Sequence, residues 1–344
     1  MDSALGYLIV IILLALLYDF LNGANDSANA IATVIATRAL TPLKALGLAS
    51  LFNLLGAFFF TEVAKTIGQG IVSTTDLATT VFLLVLISGL LGAILWTFIC
   101  TSAGIPISVT HSLIGALLGA GLAAGGTNII RWKMLWDKVF IAIALGPLMG
   151  FIVGALLFSL ISWLLFLVFK DVPPTKTGGV FKKLQIISAS FMAFSHGMND
   201  TQNAMGVITA ALITGGFIAT HSAEQFPVPW WVKILCGSMM ALGTLLYGSK
   251  VIRTVGWRLT KLEPKHGFAA ETGAGLAVVA VSLAGMPVST THVIGSAVVG
   301  GTFFQSIRRI RWSEVGRMVT AWIITIPFSA LIGGVSYGLL QLVS

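Results

Sequence analysis

The sequence predicts an all-α polytopic membrane protein built from two homologous halves, with helices that break or re-enter near the bilayer midplane. Three observations carry that expectation. Apolar residues fill 56% of the 344 positions and charged ones only 9%, with a mean hydropathy of +0.96, a balance foreign to soluble globular domains. Apolar runs recur at 3–21, 43–61, 80–100, 107–124, 139–169, 184–194, 204–219, 231–248, 268–285, 289–305 and 317–342. Most are long enough to cross or deeply enter a hydrocarbon core that needs about 20 helical residues. Two polar motifs each occur twice in the same order. The short alternating segments of an outer-membrane barrel are absent.

The first run begins after Met1 and Asp2, with no basic region and no small-residue cleavage site, and reads as a retained segment rather than a signal peptide. It leads into NGANDSANA, Asn22 to Ala30. Asn22, Asn25, Asp26 and Asn29 fall at i, i+3, i+4 and i+7, one polar stripe on a continuous helix. Gly23 offers an alternative, a helix break that bares backbone carbonyls. Either arrangement concentrates oxygen at membrane depth. An ionised Asp there costs at least about 2.5 kcal/mol, so it needs a partner.

After the runs 43–61 and 80–100 comes PISVTH, Pro106 to His111, where a proline and clustered hydroxyls precede a new apolar segment. Pro suits a first helical turn and Ser or Thr a cap, so a helix begins inside the membrane. The run 139–169 closes the first half. KDVPPTKTGGVFKK, Lys170 to Lys183, is Pro- and Gly-rich and reads as a linker.

The second half restates these landmarks. HGMNDTQNA places His196, Asn199, Asp200 and Asn203 at the same spacing as the first cluster, with Gly197 matching Gly23, and Asp200 minus Asp26 gives an offset of 174. AGMPVSTTH, Ala284 to His292, lies 181 residues after AGIPISVTH, Ala103 to His111. The IRW at Ile130 recurs at Ile310, and Pro147 matches Pro327, both at 180. The expected division is 1–172, a linker at 173–183, and 184–344. Lys250, Arg253, Arg258, Lys261 and Lys265 follow one apolar run, whereas the matching stretch holds Lys65, Glu62 and Asp76. Opposite charge bias in equivalent loops favours an inverted repeat, although the loops at Arg131 and Arg308 are both basic.

The two motifs ask for different ligands. Asn and Asp oxygens suit a hard cation, and no Cys/His cluster suggests zinc or copper. Interhelical amide bonds of around 1 kcal/mol would be a plainer use of a single Asn, but duplication of the whole cluster favours a site. A helix N-terminus with Ser and Thr hydroxyls offers donors and partial positive charge to an anion. Two facing copies would cradle a tetrahedral oxyanion. His111 and His292 either donate to that anion or bond a carbonyl behind the cap. Cys100 and Cys236 lie in apolar runs and read as small hydrophobes. No phosphate-binding loop of the G-x-x-x-x-G-K-[ST] kind is present, so pumping would draw on an ion gradient. The formal charge of +8 is a matter of membrane orientation, not nucleic-acid binding.

GANDSANA (Gly23 to Ala30), GMNDTQNA (Gly197 to Ala204) and the P-x-S-x-T-H pair resemble the inorganic phosphate transporter family, the Pit-type sodium- or proton-coupled symporters. The resemblance runs through both halves. It implies a plasma (inner) membrane transporter with no catalytic residues, a homo-oligomer with a dimer favoured, that imports phosphate by cation symport and alternating access, Na+ being favoured over H+. It assigns phosphate to Ser108, Thr110, Ser289, Thr290 and Thr291 with Asp26 and Asp200, to which the reading of the caps adds His111 and His292. It assigns the cation to Asn25, Asp26, Asn29, Asn199, Asp200, Asn203 and Glu271, to which the polar stripe adds Asn22. Asn53 stands where some members carry an acid, and Val109 replaces the Thr of a fuller S-T-T-H. A proton on phosphate could meet a carboxylate, which sulfate lacks. An intramembrane phosphotransferase and an uncoupled anion channel are the alternatives.

Overall fold

The computed structural model describes residues 2–73, 77–168, 173–220, 225–247, 260 and 262–342. Its helices are α1 (Asp2–Ala36), α2 (Pro42–Gly56), α3 (Glu62–Gly70), α4 (Thr79–Ala103), α5 (Val109–Gly125), α6 (Trp132–Val168), α7 (Pro174–Thr214), α8 (Trp230–Tyr247), α9 (Pro264–Leu283), α10 (Thr290–Phe303) and α11 (Trp312–Gln341). Six of these, α1, α4, α5, α6, α9 and α11, are long and apolar enough to cross a membrane. The 41 residues of α7 reach about 60 Å at 1.5 Å per residue. Its polar motif, not its length, keeps it out of that group.

The apolar runs 184–194 and 204–219 are thus one helix, with the second polar motif at its centre. Neither motif breaks its helix: α1 and α7 pass through Gly23 and Gly197 unbroken. The glycines serve packing. A Cβ on Gly23 would strike the backbone of Met240 in α8, and one on Gly197 the backbone of Asn53 in α2. Gly243 and Gly56 make the reciprocal approaches to Phe20 and Phe194. Small residues let membrane helices meet backbone to backbone, so α1 crosses α8, and α7 crosses α2, at close range.

The breaks lie at the other motif. The C-terminus of α4 is Gly104 in the left-handed region (φ 69°), where a side chain would be strained. Pro106 follows, and Ser108 caps α5 by accepting from the His111 amide at 3.1 Å. Gly285 (φ 67°), Pro287 and Ser289, which accepts from the His292 amide at 3.3 Å, repeat the device between α9 and α10. Both tips are buried, Ser108 1% and Ser289 4% exposed.

The returning helices exchange partners. Besides its neighbour α4, α5 packs against α11; besides α9, α10 packs against α6. Gly119 meets the backbone of Ala330 and Gly150 that of Val293 at these contacts. Two large apolar clusters result, one built on α1, α3, α4 and α5 and one on the end of α1 with α6, α9 and α10. α1 and α7 pack on each other between them.

Two connectors differ from expectation. Helix α7 reaches back into the linker, with Pro173 at its N-cap and Pro174 in its first turn. The stretch 62–70, expected as a loop, is helix α3, amphipathic and buried through Val63, Ala64, Thr66 and Ile67. Lys250, Arg253, Arg258 and Lys261, and Asp76 of the matching stretch, lie outside the described residues.

Candidate functional site

The stripes on α1 and α7 and the tips at α5 and α10 converge in one buried polar layer. Asn29 Nδ2 donates to Thr290 Oγ1 at 3.1 Å and to Thr291 Oγ1 at 2.9 Å. Asn203 Nδ2 donates to Thr110 Oγ1 at 2.8 Å. Each long helix therefore holds the tip of the opposite half. Within each half a second amide is tied to the descending helix: Asn25 Nδ2 donates to Thr101 Oγ1 at 2.7 Å, and Asn199 Oδ1 accepts from Ser282 Oγ at 2.8 Å. Thr101 and Ser282 are 181 residues apart, as the tips are.

At the centre Asp26, His196 and Asp200 each present a ligand atom, all within 4.8 Å of one another. Thr291 Oγ1 lies 3.1 Å from Asp26 Oδ1 and 3.0 Å from the carbonyl of Ile107, joining the two tips to the first carboxylate. Asn199 Nδ2 donates to Asp200 Oδ1 at 2.5 Å and to the carbonyl of Val288 at 2.7 Å. His196 Nε2 is 3.5 Å from Asp200 Oδ2, and its Nδ1 sits 2.9 Å from Asn53 Oδ1. Asn53 in turn donates to Thr244 at 2.9 Å.

The orphaned atoms are as telling as the paired ones. Asn22, Asn25, Asn29 and Asn203 each leave Oδ1 without a hydrogen-bond partner, as does Asp200 Oδ2, all buried. Buried polar atoms are nearly always satisfied, so a set of bare acceptor oxygens marks a place for a hydrogen-bond donor or a cation. A hard cation meets that description, taking six or so oxygens at 2.3–2.6 Å in the case of calcium. Among the described residues, no lysine or arginine is buried beside the carboxylates. Thr110 and Thr290 accept from amides and keep their own hydrogens to donate, the polarity an anion requires.

Not every predicted residue joins this layer. His111 and His292 form an edge-to-face pair with ring centroids 4.8 Å apart, and His292 stacks on Trp322 at 4.0 Å. They line a cavity of about 180 Å³ with Pro147 and Ile326. Neither ring nitrogen of His111 has a hydrogen-bond partner, so that ring does not bond a carbonyl behind its cap. Glu271 is fully buried in a separate nest, its carboxylate accepting from Thr33, Ser188 and Gln185, with Thr37 donating to Gln185 at 2.7 Å. Thr33 is seven residues beyond Asp26, about 10 Å along α1.

Sequence reasoning misses Thr101, Ser282, Thr244 and the Glu271 nest. The repeat offset does pair Thr101 with Ser282. Nothing comparable identifies Gln185 or Thr33, whose partners come from distant helices.

The family model described as "Phosphate transporter family" matches residues 22–333. The chain is 38% identical, over 100% of both chains, to a Bacillus subtilis (strain 168) protein named "Probable low-affinity inorganic phosphate transporter". It is 40% identical, again over 100% of both, to one so named from Rhizobium meliloti (strain 1021). A solved structure, described as "The sodium-dependent phosphate transporter", superposes with a TM-score of 0.89 at 26% identity, covering 98% of this chain and 100% of that one. With its membrane helices, its paired motifs and whole-chain likeness to transporters rather than enzymes, the chain belongs to the phosphate transporter family.

Proposed function

We propose that this phosphate transporter works by cation symport, with Na+ as the coupling ion and alternating access as the cycle. The observation that carries the reading is the set of bare amide and carboxylate oxygens around Asp26 and Asp200, with no buried lysine or arginine among the described residues to balance them. Two carboxylates this close repel, and a cation held between them relieves the repulsion. The similar solved structure is of a protein described as sodium-dependent, which agrees with Na+. Proton coupling is the second reading, because it needs only a carboxyl group that takes up and releases a proton during the cycle.

Asn22, Asn25, Asp26, Asn29, Asn199, Asp200 and Asn203 bind the cation in this scheme, with Glu271 a further cation ligand on its own nest. Phosphate lies between the tips, held by Ser108, Thr110, Ser289, Thr290 and Thr291, while Asp26 and Asp200 accept the proton that phosphate keeps near neutral pH. The His111 and His292 pair closes the cradle from behind. Because Asn29 and Asn203 belong to the cation set and also bond the tip hydroxyls, filling one site sets the geometry of the other. Coupling of that kind is reciprocal: cation binding tightens phosphate binding, and phosphate tightens the cation.

The exchanged contacts suit an inverted repeat, divided at 1–172 and 184–344, in which one hairpin moves against the long helix of the other half. The assembly is a dimer in the plasma membrane. Radiolabelled phosphate uptake by Asp26→Asn and Asp200→Asn proteins tests the site. Both variants should raise the apparent phosphate dissociation constant and blunt its Na+ dependence; unchanged values for both would sink the mechanism.

A further inference from the structure

The stripe on α1 does not start at Asn22. Asp19, three residues earlier, lies on the same helical face, so that Asp19, Asn22, Asp26 and Asn29 run along α1 at i, i+3, i+7 and i+10. Asp19 and Asn22 are fully buried. Apart from the weakly donating thiol of Cys236, no side chain or backbone group among the described residues hydrogen-bonds to the Asp19 carboxylate, and neither polar atom of the Asn22 side chain has a hydrogen-bond partner. The thiol of Cys236, from α8, faces Asp19. Tyr18, next to it on α1, commits its hydroxyl to the carbonyl of Val109 at 3.2 Å. The charged group that acts on it from α7 is Asp200, of the same sign.

Asp19 has no acidic counterpart in the duplicated machinery, and Asn22, the first residue of the repeated stripe, is matched there by a different side chain. An offset of 174 carries Asp19 to Ala193 and Asn22 to His196. Where α7 has a methyl group and an imidazole, α1 has an acid and an amide. A packing role is filled by Ala193 at the matched position, which leaves the acid unexplained by the fold. An isolated carboxylate inside a membrane protein demands a counter-charge or a proton, and none of the described lysines or arginines is buried there.

We propose that Asp19 provides an additional site for one monovalent cation, a proton or Na+, adjoining the central Asp26 and Asp200 site and sharing Asn22 with it. The site rests on the symport reading above and extends it. Its occupant travels with phosphate and adds one positive charge per cycle, and it does so from one half only. Coupling is therefore asymmetric even though the central site is paired.

The test is the charge moved per phosphate, read as the reversal potential of flux in proteoliposomes containing wild-type, Asp19→Asn or Asp19→Glu protein. One arm imposes a Na+ gradient at equal pH; the other imposes a pH gradient at equal Na+. Asp19→Asn should move one fewer positive charge per phosphate; loss of the response to pH identifies a proton as the occupant, and a Na+ response weakened by one ion per phosphate identifies Na+. Asp19→Glu should keep the wild-type ratio. An Asp19→Asn protein with the wild-type ratio overturns the proposal.

Native protein supplies a second reading if Asp19→Asn does not reach the bilayer. Hydrophobic carbodiimide should label Asp19, located by peptide mass spectrometry, and Na+ or raised pH should suppress the label. Labelling at Asp19 that ignores both would also overturn the site. Wild-type vesicles that move phosphate under neither gradient would instead refute symport, while the labelling still reports on Asp19.

Discussion

Removing the two tip-holding amides separately gives the sharpest test of whether the proposed cation and phosphate sites communicate. Asn203→Ala deletes one hydrogen bond, the 2.8 Å contact to Thr110, whereas Asn29→Ala deletes two, to Thr290 and Thr291 at 3.1 and 2.9 Å. A neutral buried bond contributes about 0.5–1.5 kcal/mol net. At about 1.4 kcal/mol per factor of ten, Asn203→Ala should weaken phosphate binding roughly 2- to 12-fold. Asn29→Ala should weaken it up to about 150-fold on the same arithmetic. The half-saturating Na+ concentration should rise in the same order, because the proposed cation site takes an oxygen from both residues. Phosphate uptake as a function of phosphate at several fixed Na+ concentrations supplies both numbers. Double-mutant cycles add the wiring: Asn203 with Thr110→Val should show coupling near 1 kcal/mol, and Asn203 with Thr291→Val almost none. A reversed ranking, or a phosphate effect with no Na+ effect, would refute the reasoning.

Other perturbations have equally specific outcomes. In Gly197→Ala the new methyl meets the Asn53 backbone, with its Cα at 2.6 Å and carbonyl carbon at 2.7 Å, so α2 and α7 must part; a loss of about 1–3 kcal/mol from overpacking should appear as a lower Tm in detergent, and an unchanged Tm would contradict the close crossing. The second tip is latched from outside by Thr66 Oγ1 to the Gly285 carbonyl and by Lys138 Nζ to the Ala284 carbonyl, both 2.6 Å. Thr66→Val should change the turnover rate while leaving the KM for phosphate within about twofold, since the bond lies outside the cradle; a KM change alone would count against a latch. Glu271→Gln should raise the half-saturating Na+ concentration without altering phosphate affinity at saturating Na+, measured by uptake; equal Na+ curves would remove Glu271 from the cation set.

Much of the fold is legible in the residues themselves. Apolar runs announce the membrane helices, because burial in lipid forces composition and length together. The Pro-Ser signatures at Pro106 and Pro287 announce the buried helix starts, since capping is a local matter of a few residues. Gly23 and Gly197 are ambiguous in sequence for a physical reason: glycine serves both helix breaks and close helix crossings, and only the partner backbones, Met240 and Asn53, distinguish them. Asn25, Asp26, Asn29 and their repeats stand out because polarity is conspicuous in an apolar sequence.

The polar residues that escape notice do so because their meaning is tertiary. Gln185 and Ser188 look like ordinary helix residues until α1 and α9 bring Thr33 and Glu271 against them. Asp19 sits inside an apolar run with no duplicate to draw attention to it. Helix α3 resembles a connector because its short amphipathic pattern lacks the length of a span, yet Ala64 takes a place beside α7 by donating its amide to Gln202 at 3.0 Å.

The most direct measurement is radiolabelled phosphate uptake into sealed proteoliposomes with an imposed inward Na+ gradient and K+ replacement as the control. The account predicts accumulation that overshoots equilibrium with Na+ and vanishes when K+ takes its place. Full uptake with Na+ absent, driven by a pH gradient alone, would contradict Na+ as the coupling ion.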